Sequence, residues 1–209
     1  MKIAVVAANG KAGQAIVKEA AERGLDVTAF GRGANKTVAK SYIQRDIFDL
    51  KPADLAGFDA VITAFGAWTP DTLPQHSSSL LRLCDLLSGT KTRLLAVGGA
   101  GSLYVDEAHS RQLMDTPDFP EDYKPLAGAM AEGLAKLRER RDVQWTYVSP
   151  AADFEAEGAK TGKYITAGEV FTCNSKGESF ISYADYAAAM VDEVQKGKHL
   201  QQRISVLAE

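Results

Sequence analysis

The strongest constraint on the fold lies at the start of the chain. Residues 3–8 form an unbroken apolar run, Asn9-Gly10 follows, and apolar residues then recur at helical spacing over residues 11–23. A short run of this kind is typical of a parallel strand that is buried on both faces. Gly24 stands where a helix commonly ends in a left-handed cap. The segment therefore predicts a strand, a tight turn and a helix.

The same alternation continues along the chain. Further strand-like runs are residues 27–30, 42–44, 60–65, 93–97 and 145–149, and helical runs at residues 73–87 and 125–140 separate the later ones. This rhythm predicts an α/β fold of the Rossmann type with a doubly wound parallel sheet. Right-handed crossovers favour the strand order 3-2-1-4-5-6, with a ligand crevice where the order reverses.

The C-terminal part fits the same domain. Ser182 and Asp185 resemble a capping box at the start of an Ala-rich helix that ends at Gly197, and a strand is predicted over residues 203–207. The 209 residues contain 45% hydrophobic residues and no linker, repeat or low-complexity segment. We expect one domain over residues 1–209, in which residues from about 150 to 209 form a smaller substrate-side elaboration.

The turn after the first strand is a candidate phosphate loop. It follows the pattern G-x-x-G-x-x-G with Ala7 in place of the first glycine. Glycine at position 10 lets the backbone approach a pyrophosphate, whose charge a helix N-terminus favours, and Gly13 lets the helix pack on the strand. A plain strand–helix turn is the alternative, but the βαβ context favours dinucleotide binding. The predicted cofactor contacts here are Ala7, Asn9, Gly10, Lys11, Ala12 and Gly13.

The end of the second strand bears on the choice of cofactor. Proteins selective for NAD usually place an acidic residue there to bind the ribose hydroxyls, whereas this chain has Gly31-Arg32-Gly33. Arg32 can bind a 2′-phosphate bidentately, with Lys11 or Lys36 adding charge. The sequence therefore favours NADP, with NAD as the other possibility and a solvated surface arginine as the alternative interpretation.

Residues at the exits of later strands are further candidate contacts. After the third strand, Asp46 can accept a hydrogen bond from the adenine amino group and Ile47 can face the ring, although an aspartate in a turn is the alternative. Small residues after the fourth and fifth strands permit close approach of the nicotinamide half. These later candidates are Ala64, Phe65, Gly66, Gly98 and Gly99.

Composition excludes several other classes of function. The formal net charge is −3 and the basic residues are scattered, which argues against a nucleic-acid partner. Cys84 and Cys173 belong to no Cys/His cluster, so neither a metal site nor a disulfide framework is expected and both cysteines should be reduced thiols. No apolar run has the length of a membrane span, and Met1-Lys2 leads directly into a strand, so we expect a cytoplasmic protein with no membrane partner.

Four motifs together resemble a known family. They are residues 8–13 (Ala-Asn-Gly-Lys-Ala-Gly), 98–103 (Gly-Gly-Ala-Gly-Ser-Leu), 145–151 (Trp-Thr-Tyr-Val-Ser-Pro-Ala) and 180–187 (Phe-Ile-Ser-Tyr-Ala-Asp-Tyr-Ala). In this order, and over nearly the whole chain, they resemble the bacterial NADH-flavin reductase-like branch of the atypical short-chain dehydrogenase/reductases. The chain is more distantly similar to biliverdin-IXβ/flavin reductases and to NmrA-like proteins.

The resemblance implies an NAD(P)H site and a small planar hydride acceptor. A flavin would then be a substrate and not a tightly bound cofactor. The resemblance also implies backbone contacts to the nicotinamide carboxamide from Ser149, Pro150 and Ala151. We expect a monomer or a homodimer.

Two departures from the usual pattern matter. We expect the loop to accept Ala7 only if this residue keeps a negative φ. The superfamily dyad Tyr-x-x-x-Lys is absent, because Tyr123 is followed four residues later by Ala127. General acid–base catalysis typically contributes about 100- to 10,000-fold, which a ketone reductase would need from elsewhere. Flavin reduction depends more on positioning, so the missing dyad favours a flavin-like acceptor.

Residues 99–124 lack clear periodicity and are predicted to cover the substrate side of the crevice. Within this segment, Ser102 and Tyr123 are candidate catalytic residues that can hydrogen-bond a substrate carbonyl or the carboxamide, with capping or packing as the alternative. Trp68 can stack on a flat ligand. His76 and His109 have no triad or metal spacing and are expected to be structural or exposed.

The sequence thus predicts an NAD(P)H-dependent oxidoreductase with a flavin-like acceptor. A non-enzymatic NADP(H) sensor of the NmrA-like kind is the main alternative. An isomerase or epimerase of sugar nucleotides is also compatible with the fold. The missing dyad and the short C-terminal part disfavour it.

Overall fold

The computed structural model describes all residues 1–209, and its strands form one large and one small sheet. The strands are β1 (Lys2–Val6), β2 (Asp26–Gly31), β3 (Ser41–Gln44), β4 (Ala60–Thr63), β5 (Arg93–Val97), β6 (Gln144–Ser149), β7 (Asp153–Glu155), β8 (Tyr164–Ala167), β9 (Phe180–Ser182) and β10 (Gln202–Ala208). The large sheet has the order β3-β2-β1-β4-β5-β6-β10-β8, and β7 pairs with β9 separately. Every pair is parallel except β8–β10.

Helices cover both faces of the large sheet. They are α1 (Lys11–Glu22), α2 (Pro52–Leu55), α3 (Gln75–Leu87), α4 (Lys124–Glu139) and α5 (Tyr183–Lys196), with single 3-10 turns at Ile47–Asp49, Leu113–Asp115 and Glu121–Tyr123. Helices α1 and α5 pack against each other, as do α3 and α4. None of the helices combines the length and the apolar composition needed to cross a membrane.

The alternation along β1 explains its continuous apolar run. Ile3 and Val5 belong to the core shared with α1 and α5, whereas Ala4 and Val6 belong to the core on the opposite face, with α3 and α4. All four side chains are buried because the sheet is covered on both sides. The order predicted for the first six strands is confirmed, and the Rossmann-type fold with it.

Two strand ends differ from the prediction. Strand β1 ends at Val6 and β4 at Thr63, each two residues before the end of its apolar run. After Val6 the chain turns toward β2, where the Ala8 amide donates to Phe30 O at 2.9 Å. An apolar run thus continues into a buried turn, and burial alone does not mark where a strand stops.

The C-terminal part adds strands that the sequence pattern did not reveal. The predicted last strand is present as β10 and lies parallel to β6, but β7, β8 and β9 are short and partly exposed. The Ser182 hydroxyl caps α5 by accepting from the Asp185 amide at 3.0 Å. The Asp185 carboxylate does not complete a capping box; it accepts from the amides of Thr161 and Gly162 instead. Gly197 ends α5 at φ +62°, as expected.

Candidate functional site

The carboxyl ends of the parallel strands meet at one edge of the sheet. Strand β1 lies between β2 and β4, so the strand order reverses there. Loops leave this edge after β1, β2, β4, β5 and β6. Ligands in open α/β sheets bind in the crevice at such a switch point.

The first loop holds Ala7 in a strained conformation. Its φ is +58°, in the left-handed region, and the Gly10 amide donates to Ala7 O at 3.3 Å to close the turn. The expectation of a negative φ at Ala7 was therefore wrong. A non-glycine residue in this region costs about 1–2 kcal/mol, so the loop stores strain beside the crevice.

Glycine suits positions 10 and 13 for different reasons. A Cβ on Gly13 would lie 2.7 Å from Ala8 Cα, so helix α1 can pack on the loop only with glycine there. Gly10 has φ −71°, and the nearest protein atom to its missing Cβ, Ala7 O, is 3.7 Å away. Nothing within the chain requires glycine at position 10. Its bare, exposed backbone at the N-terminus of α1 fits the close approach of a pyrophosphate.

The Asn9 side chain forms hydrogen bonds within the protein through both its amide nitrogen and its amide oxygen. Its Nδ2 donates to Ala34 O and to the Tyr42 hydroxyl, each at 2.9 Å, and its Oδ1 accepts from the Lys36 amide at 3.0 Å. Only the main chain of Asn9 is left for a cofactor contact. The side chain instead ties the glycine loop to the loop after β2.

The neighbouring positions of the loop offer weaker contacts. Ala12 is half-buried in the first turn of α1. Lys11 Nζ lies 3.4 Å from the Glu157 carboxylate, and both side chains are exposed. Such a surface pair contributes little and can open when an anion binds.

Arg32 borders an open polar depression beside the carboxyl ends of β2 and β3. The lining residues are Arg32, Gln44, Arg45, Asp46 and Asp49. Arg45 is paired with Asp54, whereas the Arg32 side chain is 80% exposed and its Nε lies 3.9 Å from Asp46 Oδ2. Arg32 is therefore the cation of this depression that is most free to bind an anion.

The structure changes the interpretation of residues 46–48. Asp46 Oδ1 accepts from the Phe48 amide at 2.9 Å, as the turn interpretation expects. Ile47 is buried in the core with α3, so its side chain cannot face an adenine ring and that prediction was wrong. Phe48 is 40% exposed and is the apolar side chain that can face a ligand.

The glycines after β5 are closely packed from beneath, by a rigid ring at Gly98 and by a flexible side chain at Gly99. A Cβ on Gly98 would lie 2.3 Å from the Tyr147 ring, and one on Gly99 would lie 2.9 Å from Met130 Sδ. The Gly99 amide donates to the Tyr147 hydroxyl at 3.3 Å. Burial raises the pKa of Tyr147 to about 12, so its phenol stays protonated. Internal packing alone therefore favours glycine at position 98, and the predicted cofactor contacts of Gly98 and Gly99 stay predictions.

The loop after β4 carries an exposed aromatic ring. His76 holds this loop through its Nε2, 3.0 Å from Ala67 O, and its ring meets Phe65 edge-on at 5.6 Å. Burial lowers the pKa of His76. Trp68 is 73% exposed, and its Nε1 would lie 3.5 Å from a Cβ on Gly66. The indole therefore lies next to the bare Gly66 backbone, while Ala64 is half-buried where the loop leaves the strand.

The end of β6 turns its side chains inward. Ser149, Pro150 and Ala151 are all buried, and Ala151 packs in the core with α1 and α5. A contact from these residues to a carboxamide would have to come from the main chain, as the family resemblance implies. The Ser149 hydroxyl has no hydrogen-bond partner within the protein.

The two candidate catalytic residues have different environments. The Ser102 hydroxyl and carbonyl oxygen both accept from Arg203 Nη1 at 2.9 Å, and Ser102 is buried. This geometry favours a structural role for Ser102. Tyr123 is 56% exposed just before α4. Ala127 stands where the dyad lysine would be, and a Cβ on Gly101 would lie 2.6 Å from Ala127 Cβ, so this position is closely packed.

The segment over residues 99–124 is more ordered than its sequence suggests. The Tyr104 amide donates to Glu169 O at 2.9 Å, and the Phe171 amide donates to Tyr104 O at 2.7 Å. Residues 101–103 are buried and residues 107–111 are exposed. The segment is thus fixed beside β8 and β10 at its start and reaches solvent in its middle.

Comparison with known families decides the broad assignment. The NAD(P)H-binding family matches residues 7–196, which include the glycine loop and strands β2 to β6. The chain belongs to the NAD(P)H-binding family. Folds of this type bind their nucleotide in the crevice at the carboxyl ends of the strands.

Individual proteins resemble this chain over its whole length. The uncharacterized protein YwnB of Bacillus subtilis (strain 168) is 44% identical, with 100% of this chain and 99% of YwnB covered. SP1627 of Streptococcus pneumoniae TIGR4, described as a proposed NADH-flavin reductase, is 59% identical with a TM-score of 0.98 and full coverage of both chains. A Bacteroides thetaiotaomicron protein described as a proposed epimerase is 33% identical, with a TM-score of 0.87 and coverage of 99% and 96%.

Two residues that hold predicted site residues in place, Tyr42 and Arg203, could not be identified from the sequence. Tyr42 bonds to Asn9, and Arg203 bonds to Ser102, across 33 and 101 positions of the chain respectively. Neither residue belongs to a motif. A half-buried tyrosine in a strand and an arginine in an apolar strand gave no local signal of their partners.

Proposed function

We propose that this protein is an NADPH-dependent reductase that passes a hydride to a flavin or a similar planar acceptor, with the flavin as substrate. Two neighbouring features carry the proposal: Gly10, where the fold itself does not require glycine, and the exposed guanidinium of Arg32. The first suits a pyrophosphate and the second suits a 2′-phosphate.

The cofactor would lie along the carboxyl edge. The bare backbone of Gly10 at the start of α1 would hold the pyrophosphate, Arg32 the 2′-phosphate, and Phe48 the adenine side. The main chain of residues 149–151 would face the carboxamide. When bound, the reduced nicotinamide supplies the hydride.

The chain's own residues favour an acceptor that needs no placed proton donor. The Tyr186 hydroxyl donates to Val148 O at 2.7 Å, and burial raises its pKa far above its usual value. Tyr147 is likewise buried with a raised pKa, and Ser102 is bonded to Arg203. These hydroxyls cannot act as ready acids, so positioning carries the reaction. A flavin or quinone meets this condition better than a ketone does.

Steady-state oxidation of the reduced nicotinamide tests the proposal. We expect turnover with riboflavin, FMN, FAD or quinones, and a higher kcat/KM with NADPH than with NADH. Arg32→Ala should remove the preference for NADPH without abolishing turnover with NADH. Absence of turnover with every planar acceptor would contradict the reductase proposal.

A non-enzymatic sensor of NADP(H) is the second candidate. It is favoured by the internal hydrogen bonds of Ser102, Tyr147 and Tyr186, because these three buried hydroxyls are not available as reactive groups. Calorimetry combined with the turnover assay separates the two candidates. Nucleotide binding with no turnover toward any planar acceptor would support the sensor.

A further inference from the structure

We infer that Tyr42 and Asn9 are positioning residues that set the preference for a 2′-phosphate, although their polar side-chain atoms are bonded within the protein. We call this pair the Tyr42–Asn9 clamp. The inference rests on the proposed role of Arg32 in binding NADPH and extends it to residues behind the site.

The clamp joins the glycine loop to the loop after β2. The Tyr42 hydroxyl accepts from Asn9 Nδ2 at 2.9 Å and donates to Gly33 O. Asn9 also bonds the main chain of residues 34 and 36. Three backbone groups of the loop that directly follows Arg32 are thereby held by two side chains.

A further bond fixes the main chain of Arg32 itself. Gln44 Nε2 donates to Arg32 O at 3.0 Å, from the end of β3. The backbone of residues 32–36 is thus held from two sides, whereas the Arg32 side chain stays 80% exposed. This is the arrangement expected of a pre-positioned cation, whose main chain is fixed before a ligand binds.

Gly31 makes room for the clamp. A Cβ at this position would lie 2.6 Å from the Tyr42 hydroxyl and 3.0 Å from Asn9 Nδ2. The φ of Gly31 lies outside the left-handed region, so alanine is compatible with its backbone. Gly31→Ala therefore disturbs the clamp only because its Cβ would collide with the Tyr42 and Asn9 side chains, and not through backbone strain. This substitution gives an independent test of the clamp.

The clamp should matter for one cofactor more than for the other. Without it, the loop after β2 would have to be ordered when Arg32 engages the 2′-phosphate, and that entropy cost would fall on binding. NADH has no 2′-phosphate, so its binding does not require Arg32 to be held in place. Loss of the clamp should therefore weaken NADP binding selectively.

Calorimetric titration of Tyr42→Phe with NADP⁺ and NAD⁺ tests the inference. We expect about tenfold weaker NADP⁺ binding, the order that loss of one or two hydrogen bonds produces, and less than about twofold change for NAD⁺. Tyr164→Phe is the matched control. Tyr164 lies on β8, away from this loop, and its hydroxyl donates to the Asp192 carboxylate at 2.5 Å. That control should bind both nucleotides as the unmodified protein does.

A double-mutant cycle separates positioning from general support of the fold. In an Arg32→Ala background, Tyr42→Phe should cause no further loss of NADP⁺ affinity. Gly31→Ala should weaken NADP⁺ binding in the unmodified background and have a smaller effect in Tyr42→Phe. If Tyr42→Phe does not fold, as judged by thermal melting, Gly31→Ala carries the test.

The outcomes are distinct. Equal loss of NADP⁺ and NAD⁺ affinity, or an undiminished preference for NADP⁺ in Tyr42→Phe and Gly31→Ala, would overturn the clamp while leaving the proposed role of Arg32 intact. No preference for NADP⁺ in the unmodified protein would overturn both. A selective loss that vanishes without Arg32 supports the inference.

Discussion

At the scale of single residues, strain and exposure mark the edge where the cofactor belongs. Ala7 adopts a φ of +58°, and Trp68 leaves 73% of its surface in solvent. Both features cost stability in the isolated chain. Both lie on loops that leave the carboxyl ends of β1 and β4.

Replacing Ala7 should relieve the strain. Glycine enters the left-handed region without a Cβ penalty, so Ala7→Gly should raise the free energy of unfolding by about 1 kcal/mol. For a chain of this size this corresponds to a rise in Tm of about 2–4 °C. Denaturant and thermal unfolding measure the effect. Ala12→Gly in the first turn of α1 is the control and should destabilise; destabilisation by Ala7→Gly would contradict the strain argument.

Replacing Trp68 should raise the KM for the acceptor and leave the KM for the cofactor unchanged. Loss of an aromatic stack with a flat ring costs about 0.5–1.5 kcal/mol, so Trp68→Ala should raise KM for riboflavin about three- to tenfold with little change in kcat. Trp68→Phe should retain part of the effect. Steady-state kinetics with each variable substrate test this. An altered KM for NADPH alone would place the indole against the cofactor instead.

The buried His76 should make stability depend on pH. Burial lowers its pKa below 6.5 in the folded chain, so the unfolded chain binds the proton more readily. The contribution of neutral His76 is therefore present above about pH 6.5 and is lost as the pH falls below that value. His76→Gln should flatten the unfolding free energy between about pH 6.5 and 5 relative to the unmodified protein. An unchanged slope would argue against a buried neutral imidazole.

At the scale of elements, a buried arginine joins segments that are far apart in sequence. Arg203 on β10 donates to Ser102 before α4 and to the Glu169 carboxylate after β8. Its guanidinium is almost wholly buried. Arg203 thus adds a buried side-chain link between β10 and residue 102 to the main-chain bonds that Tyr104 makes with residues 169 and 171.

Removal of this arginine should be costly. Arg203→Met leaves the Ser102 oxygens and the Glu169 carboxylate without their buried donor, and breaking a buried pair of this kind typically costs about 3–5 kcal/mol. Urea unfolding measures the loss. Arg138→Met is the control, because Arg138 pairs with the same Glu169 but is 39% exposed, and it should cost less than about 1 kcal/mol. Similar losses in the two variants would mean that burial is not decisive.

The strands and helices that could be predicted from the sequence are those marked by a pattern within their own residues. Strand β1 and helix α5 were predictable because burial on both faces gives a continuous apolar run and because Gly197 ends the helix. Strand β8 was not, because it is a half-buried edge strand of four residues whose antiparallel partner β10 follows much later in the chain. Likewise, the burial of Ile47 depends on α3, which no motif at residue 47 reveals.

At the scale of the whole molecule, the sequence predicted the sheet order and the position of the crevice. Gly10, Gly13 and Arg32 carry local patterns, so their places could be anticipated. The bond between the Asn9 side chain and Tyr42 could not be anticipated, because that contact joins positions 33 residues apart. Long-range hydrogen bonds of this kind depend on the completed fold and leave no spacing rule in the sequence.

The glycines above Tyr147 and Met130 have a consequence for substrate breadth. Since the Tyr147 ring occupies the room that a side chain at position 98 would need, the surface there is main chain and has little capacity to vary. In the proposed reductase this surface would form part of the floor beneath the acceptor. A floor of peptide groups distinguishes flat molecules from thick ones better than it distinguishes one flat molecule from another. Such a protein would act as a generalist toward planar electron acceptors, with its discrimination concentrated on the nucleotide that donates.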